Sequence, residues 1–350
     1  MRAKRVKEPL RPEGRQAAKK RRGAVNEEQI YTLRALTDIW TGDADCKGER
    51  LINSGLLGSI RWWLEVLVRG LGGSACDPSH HDDNKSKPCP NEAIKDPLKP
   101  GHHCVVCELF GCTGWARKFR FEVLDAQGNV QQNQIKGGDT FQLAFTPLRP
   151  VCPEEWALLN ATIRLIADYA AIGGRTVYKP SDESSRKGAN HHRDYGIVSI
   201  EKDAGVEPVN FKLLQAYVGD QQWREVKHEG FAWASLRNFW CIKGRYLARQ
   251  DANHSKFNQV LERPEPKNRS SRGDSWLAGR RAGSGGHPES KKVFRFKNPP
   301  RTFGFVQSAN EADEMKQRLR EKAWLDLRND EFLKGCDILD RLLGGAGGST

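Results

Sequence analysis

The sequence contains no continuous apolar run of the roughly 18 residues that a membrane-spanning helix needs. No apolar segment follows the charged N-terminus, as one would in a secretory signal peptide. A Walker-type phosphate-binding signature and a short-period repeat are missing too. These absences argue against a membrane protein, an exported protein, a P-loop nucleotidase and a repeat protein. We therefore expect a cytoplasmic protein with no membrane partner.

What the sequence does contain is an excess of positive charge. Its 57 Lys and Arg residues outnumber its 44 Asp and Glu residues, so the net charge is +13. Such a charge favours a polyanionic partner, with nucleic acid ahead of an anionic membrane surface. Residues 1–22 carry +8 of this charge and the rest of the chain only +5. We interpret residues 1–24 as a basic disordered arm; the alternative is a solvated tail with no specific ligand.

A chain of 350 residues is longer than one hydrophobic core usually serves, so we expect two domains. The first half predicts the element order β-α-β-β-α-β, from an alternating run at 29–36, a helix within 54–73, alternating runs at 119–123 and 141–145, a helix from Pro153 and a short strand at 197–200. This order is that of the ferredoxin-like unit, whose antiparallel sheet can leave one face free for single-stranded RNA. On the first helix, Arg61, Glu65 and Arg69 form two i,i+4 charge pairs that we place on the outer face.

The second half is less regular, although a divergent copy of the first unit fits it. Residues 231–249 are rich in aromatic side chains and predict a partly helical segment, whereas residues 251–292 predict a flexible basic loop. Four phenylalanines around Pro299 predict two strands. We therefore expect an α+β protein of two tandem ferredoxin-like, RRM-like domains, at residues 25–203 and 204–350.

Five of the nine cysteines fall between Cys76 and Cys112, which in a reducing compartment indicates a metal rather than disulfides. The insertion at residues 74–112 begins with a polar, turn-rich stretch, so something other than a core must order it. Four thiolates, two of them in a CxxC pair, complete the closed tetrahedral site typical of structural Zn²⁺. The expected ligands are Cys76, Cys89, Cys104 and Cys107, with Cys112, His80, His81, His102 and His103 as possible substitutes. Incidental buried thiols and a redox pair are the alternatives.

A second candidate site is the glycine-rich basic loop at residues 173–196. Glycines let backbone N–H groups approach a phosphate and the Arg and Lys side chains supply charge, although a mobile surface loop fits the composition equally well. The expected RNA contacts in this loop are Gly173, Gly174, Arg175, Lys179, Arg186, Lys187 and Arg193. The carboxylates Asp43 and Asp45, or the adjacent His191 and His192, would suit RNA cleavage instead. An ordinary acidic turn and ordinary loop histidines are the simpler interpretation of these residues.

Four segments carry a resemblance to a known family: WTGDAD after the first strand, INSGLLGSIRWWLEVLVRGLGG, CELFGCTGW and the glycine-rich loop. Together they span residues 29–200 and resemble the RAMP superfamily of CRISPR-associated RNA-binding proteins, most closely the Cmr-one-type subunits of type III-B (Cmr) effector complexes. The resemblance implies two ferredoxin-like RAMP domains, an RNA-binding cleft, and a place beside other RAMP subunits in a ribonucleoprotein that uses guide RNA to recognise target RNA. It also implies capture of RNA near the 3′ end of the guide, with cleavage by a separate subunit.

These observations combine into one expectation for the opening of the second strand. Zinc would fasten the insertion there, and the strand would turn Lys118 and Arg120 toward RNA while Phe119 and Phe121 enter the core, with Arg61 as a further RNA contact. The favoured function is a non-catalytic RNA-binding subunit. The alternatives are a RAMP-type endoribonuclease acting on guide precursor or target RNA, and a zinc-bearing nucleic-acid-binding protein that works outside any complex.

Overall fold

The computed structural model of the protein describes residues 27–43, 45, 48–77, 88–176, 182–184, 189, 192–226, 229–248, 255–263, 274–279 and 289–344. The predicted arm at residues 1–24 lies outside the described residues, as do parts of the glycine-rich loop and more than half of the predicted loop at 251–292. Within the described ranges, no helix is long and apolar enough to cross a membrane.

Four antiparallel strands form the first sheet, in the order β2-β3-β1-β4. They are β1 (Gln29–Ala35), β2 (Phe119–Asp125), β3 (Thr140–Pro147) and β4 (Val198–Lys202). The helices of this half are α1 (Asn53–Gly70), α2 (Val105–Phe110) and α3 (Pro153–Tyr169). Apart from the short α2 inside the insertion, this is the predicted β-α-β-β-α-β order, and the strand order is that of a ferredoxin-like unit.

One face of the first sheet packs into the core with α1 and α3, and the other face is open. Successive side chains of a strand point to opposite faces, so Tyr31 and Leu33 are buried while Arg34 points to solvent. The same alternation buries Phe119 and Phe121, as predicted. The sheet therefore keeps one accessible face, as the sequence pattern indicated.

The second half repeats this topology with a second antiparallel sheet, in the order β6-β7-β5-β8. Its strands are β5 (Phe239–Lys243), β6 (Val293–Lys297), β7 (Pro300–Phe305) and β8 (Phe332–Lys334). The helices are α4 (Phe211–Val218), α5 (Lys256–Val260), α6 (Ser275–Ala278), α7 (Ala312–Lys322) and α8 (Gly335–Leu343). The described residues thus form two four-stranded antiparallel sheets of the same strand order, while the domain bounds 25–203 and 204–350 stay a prediction.

The predicted helical character of residues 231–249 is wrong at β5, which is a strand at the centre of the second sheet. Both faces of this sheet are covered: Phe239 and Cys241 join the core shared with α1, and Trp240 and Ile242 pack with α7 and its neighbours. A strand that is buried on both faces has no polar alternation, so its sequence cannot be distinguished from that of a buried helix by period.

Helix α1 lies between the two sheets and joins the halves through aromatic contacts. The Trp63 ring lies 5.8 Å from Phe239 and 6.0 Å from Phe303, and the Trp62 ring lies 5.9 Å from Phe305, centroid to centroid. Contacts in this range contribute specific edge-to-face attraction beyond the burial of apolar area. The two sheets and the helices between them therefore form one continuous core.

This position changes the interpretation of the charged residues on α1. Glu65 forms the predicted ion pairs with Arg61 and Arg69, yet it is only 3% exposed, because the cysteine insertion covers the face that we expected to be outer. Burial raises the pKa of Glu65 to about 7, and the two arginines act against that rise. These pairs belong to the interior and not to the surface.

Candidate metal centre and nucleic-acid interface

The four predicted metal ligands come together at one buried point. Cys76 follows the end of α1, Cys89 comes from the middle of the insertion, and Cys104 and Cys107 lie at the start of α2. All four sulfur atoms lie within 4.8 Å of one another, with Sγ of Cys76 at 3.4 Å from Cys107 and 3.8 Å from Cys104. The CxxC spacing places two thiols on one helical turn, and the rest of the insertion folds back to supply the other two.

The residues present fit a tetrahedral thiolate site. Zn–S bonds of about 2.3 Å place the sulfurs about 3.8 Å apart, close to the 3.4 and 3.8 Å that separate Cys76 from Cys107 and Cys104. Hydrogen bonds among the crowded thiols lower the pKa of Cys104 and raise the pKa of Cys76, Cys89 and Cys107, so that one sulfur carries the negative charge of the group. Every cysteine in the described part of the chain is free of a disulfide. Four protein ligands close the site, so a bound Zn²⁺ would supply a cross-link and no open position for chemistry.

The proposed substitute ligands are placed differently. His102 and His103 lie outside the four-sulfur group: their Nδ1 atoms are 2.8 Å apart, and Nε2 of His103 lies 2.8 Å from the Glu108 carboxylate. Cys112 is half-buried beside the cluster and is not part of it. The remaining candidates, His80 and His81, lie outside the described residues.

Arg61, which was predicted to contact RNA, instead reaches the cysteine cluster. Its Nη2 donates to Sγ of Cys107 at 3.1 Å and to Sγ of Cys76 at 3.6 Å, and its Nη1 donates to the Gly111 carbonyl at 3.0 Å. Although burial lowers the pKa of Arg61, the Cys107 sulfur and the Glu65 carboxylate raise it above its usual value. The guanidinium is therefore a charged neighbour of the thiols.

Lys118 is also directed inward. Its Nζ lies 2.6 Å from the Glu108 carboxylate and 2.7 Å from that of Glu155, at the first turn of α3. The Tyr217 hydroxyl donates to the same Glu155 oxygen at 2.9 Å. Although burial lowers the pKa of Lys118, Glu155 and Glu108 raise it. The expectation that Lys118 turns outward is therefore wrong, because it precedes the first residue of β2 and two buried carboxylates hold it.

The outward face of the first sheet carries balanced charge. Arg120 is exposed as predicted and pairs with Glu122 at 3.0 Å, and Arg34 lies 3.7 Å from Glu201. The outward positions of these four strands contain no Phe, Tyr or Trp on which a base could stack. Contacts from this face to RNA would therefore be made by Arg120 and polar groups, without the aromatic platform of an RRM.

The glycine-rich loop begins by packing on Trp40, the first residue of WTGDAD. The Gly174 N–H donates to the Trp40 carbonyl at 2.7 Å, and the Gly173 N–H donates to the Ser59 hydroxyl at 2.9 Å. A Cβ on Gly173 would lie 2.7 Å from the Trp40 carbonyl oxygen, and one on Gly174 would lie 2.5 Å from the indole. These glycines are needed for close approach, and Gly173 also has a φ of +81°.

Arg175 continues this contact and covers the indole. Its guanidinium carbon lies 4.3 Å from the centroid of the Trp40 ring and 5.9 Å from that of Tyr195, which is cation–π geometry. Arg193, at the far end of the loop, is exposed. The other predicted contacts, Lys179, Arg186 and Lys187, lie outside the described residues. Sequence reasoning placed the glycine loop and WTGDAD in separate sites and missed Trp40, whose only signal was an aromatic next to a glycine–aspartate turn.

The carboxylates of the cleavage alternative are arranged as a turn. Both oxygens of Asp43 accept the Gly48 N–H at 3.0 Å, and Asp45 is exposed. Among the described residues, the four cysteines are the group of Cys, His, Asp and Glu side chains that could hold a metal. His191 lies outside the described residues, and His192 is buried. Within the described part of the chain, Asp and Glu side chains therefore form no metal-binding group.

A comparison with models of known protein families finds one match within the first half of the chain. Residues 32–178 match the family model of the RAMP superfamily. We call residues 32–178 the RAMP region. The RAMP region contains α1, the cysteine insertion and the start of the glycine-rich loop. The match confirms the resemblance that the sequence motifs indicated.

Two solved structures share limited similarity with the chain. One is Cmr1 from Pyrococcus furiosus in its apo form, at 11% identity and a TM-score of 0.37 over 81% of this chain and 88% of that one. Another is the Csm3–Csm4 subcomplex of the type III-A CRISPR–Cas interference complex, at 14% identity and a TM-score of 0.24 over 55% of this chain and 93% of that one. The search of curated proteins finds no match.

Proposed function

We propose that this chain is a non-catalytic RNA-binding subunit of a type III-B CRISPR ribonucleoprotein, of the Cmr-one type. In this role it helps to capture target RNA near the 3′ end of the guide RNA, and its partners are guide RNA, target RNA and other RAMP subunits. The RAMP-family match of residues 32–178 supports the class of protein. The observation that carries RNA binding is the joining of the glycine-rich loop to Trp40 under Arg175.

The chemistry of this junction suits a phosphodiester chain. A guanidinium held over an indole keeps its charge, and it loses little side-chain freedom when a phosphate approaches it. The two glycines beside it let the loop backbone pack closely against Trp40, because their N–H groups donate to the Trp40 carbonyl and the Ser59 hydroxyl. Further contacts in this proposal come from the exposed Arg193 and from Arg120 on the sheet, while the sequence adds Lys179, Arg186 and Lys187 as expected contacts that lie outside the described residues.

The metal centre has a separate, structural role in this proposal. One Zn²⁺ held by Cys76, Cys89, Cys104 and Cys107 would cross-link an insertion whose polar sequence cannot form a core of its own. The buried pairs of Lys118 with Glu108 and Glu155 then join that insertion to α3. Zinc therefore shapes the RAMP region and takes no part in chemistry on RNA.

A non-catalytic role is supported by the arrangement of the acidic residues. The Asp43 carboxylate is used within its own loop, and the described residues offer no second metal group. General acid–base cleavage needs an acid, a base and a phosphate-stabilising group within reach of one bond. The endoribonuclease alternative would use Asp43 and Asp45 or His191 and His192, and cleavage by the purified chain that is lost in their alanine variants would establish it.

RNA binding is tested by replacing Arg175 with Glu in the full chain. Fluorescence anisotropy with an unstructured, labelled single-stranded RNA should show affinity reduced by about tenfold or more, with a shallower salt dependence, because one phosphate contact becomes a repulsion. The matched control is Arg328→Glu, since Arg328 is exposed in the second half and paired with Asp330. Equal affinity for the wild type and Arg175→Glu would contradict the proposed contact.

A further inference from the structure

The buried guanidinium of Arg61 contacts the proposed metal centre from outside its ligand shell. Four thiolates around one Zn²⁺ leave a net charge of −2 on a site that is removed from water, and a buried charge is costly unless it is compensated. Arg61 is the cation that hydrogen-bonds these sulfurs among the described residues, through Nη2 to Cys107 and Cys76. Its position therefore offsets half of the excess charge of the site.

The guanidinium is also oriented by groups that do not belong to the cluster. Its Nε donates to the Glu65 carboxylate at 3.0 Å, and its Nη1 donates to the Gly111 carbonyl at 3.0 Å. Glu65 is in turn close to Arg69, whose guanidinium donates to the Ala75 carbonyl next to Cys76. The guanidinium of Arg61 is planar and has a fixed partner on each of its three nitrogens. The single ammonium of a lysine cannot reproduce all of these contacts.

We propose that Arg61 is a positioning residue of the cysteine metal centre, whose N–H···S hydrogen bonds hold the Cys107 and Cys76 thiolates and strengthen the binding of Zn²⁺. This inference rests on the proposed structural zinc and extends it from four ligands to a fifth side chain. Groups that hydrogen-bond metal ligands typically change metal affinity by 10–100-fold when they are replaced. Arg61 thereby connects α1, the helix between the two sheets, to the insertion.

The experiment compares the wild-type chain with Arg61→Met, Arg61→Lys and the control Arg69→Met, each purified at full length. Arg69→Met removes a cation from the same helix and the same Glu65, but no contact to sulfur. Competition with a chromophoric chelator should show Zn²⁺ affinity weakened by about 10–100-fold in Arg61→Met, less in Arg61→Lys, and by under about threefold in Arg69→Met.

A spectroscopic measurement separates positioning of the sulfurs from a loss of general stability. In the Co²⁺-loaded protein, the sulfur-to-cobalt charge-transfer bands should move to lower energy in Arg61→Met and Arg61→Lys, because thiolates that lose N–H donors give up electrons more easily.

Unchanged Zn²⁺ affinity with an unchanged cobalt spectrum in the Arg61 variants would overturn the role of Arg61. If Arg61→Met fails to fold, Arg61→Lys with both readouts decides the question. A wild-type chain that binds neither Zn²⁺ nor Co²⁺ would overturn the metal centre itself, and this inference with it.

Discussion

The cysteine cluster and the junction of the glycine-rich loop with Trp40 lie in the same RAMP region, yet they are built in opposite ways. The cluster is a convergence of side chains: four sulfurs meet at a buried point and a charged network surrounds them. The junction is a convergence of backbone on one residue, where Gly174 leaves room for the indole of Trp40 and Gly173 leaves room for its carbonyl oxygen. The first site depends on the sulfur atoms of its side chains, and the second depends on the absence of a Cβ atom at two glycines.

This difference predicts that each site can be broken without the other. The largest effect is expected from Cys104→Ser with Cys107→Ser, which removes half of the metal ligands. The free energy of unfolding should fall by on the order of 5 kcal/mol, because the metal that orders the insertion is lost. Denaturant unfolding and elemental analysis measure both quantities, and zinc should fall from about one ion per chain to none.

The matched control for this pair is Cys336→Ser, since Cys336 is exposed and distant in sequence from the insertion. It should leave zinc content and stability unchanged. A double variant that is as stable as the wild type would contradict the structural metal centre. So would a wild type that contains less than about a tenth of an equivalent of zinc.

The charged network around the cluster should be nearly as sensitive. In Lys118→Met the Glu108 and Glu155 carboxylates stay buried without their shared cation, which typically costs about 3–5 kcal/mol. Thermal or denaturant unfolding should show this loss. Lys334→Met removes a similar pair with Asp313 at the surface, where an ion pair contributes at most about 1 kcal/mol. Equal effects of the two variants would mean that the network around Lys118 is not a buried structural feature.

A smaller effect is expected from a variant that adds only a methyl group at the junction of the glycine-rich loop with Trp40. In Gly174→Ala the added methyl group meets the Trp40 indole at 2.5 Å, so the loop must shift away from the ring. RNA affinity should fall by about tenfold while the zinc content stays at the wild-type level. The control is Gly58→Ala, because nothing lies within 4 Å of a Cβ at that position on α1. Loss of zinc together with RNA binding in Gly174→Ala would show that the two sites are one unit.

The smallest effect is expected from deleting residues 1–22. This segment carries +8 and should strengthen RNA binding electrostatically without contributing to the core. Affinity should fall by a few-fold at low salt and the difference should shrink at high salt, as anisotropy at two ionic strengths would show. Unfolding of the shortened chain at a lower denaturant concentration would contradict the interpretation as a separate arm.

The sequence predicted those features that depend on periodicity and spacing. The β-α-β-β-α-β order of the first half, the β6–β7 hairpin around Pro299 and the set of four cysteines all follow from patterns within short windows. The sequence did not predict β5 as a strand, because both faces of this strand are buried and Phe239–Lys243 therefore show no alternation of apolar and polar residues. Its identity as a strand depends on the sheet around it and not on its own residues.

By itself, then, the sequence determined which thiols can share a metal and which residues line the faces of the first sheet, because both are set by separations of a few residues. Only the tertiary structure decided where the long cationic side chains point. Arg61 and Lys118 were predicted to face RNA, and they turn inward because Cys107, Glu108 and Glu155 arrive from other segments and compensate their charge. The same holds for Trp40 and Arg175, which are 135 residues apart and meet only when two loops pack together. A charged or aromatic side chain takes its role from partners that chain folding brings to it, and no local pattern encodes them.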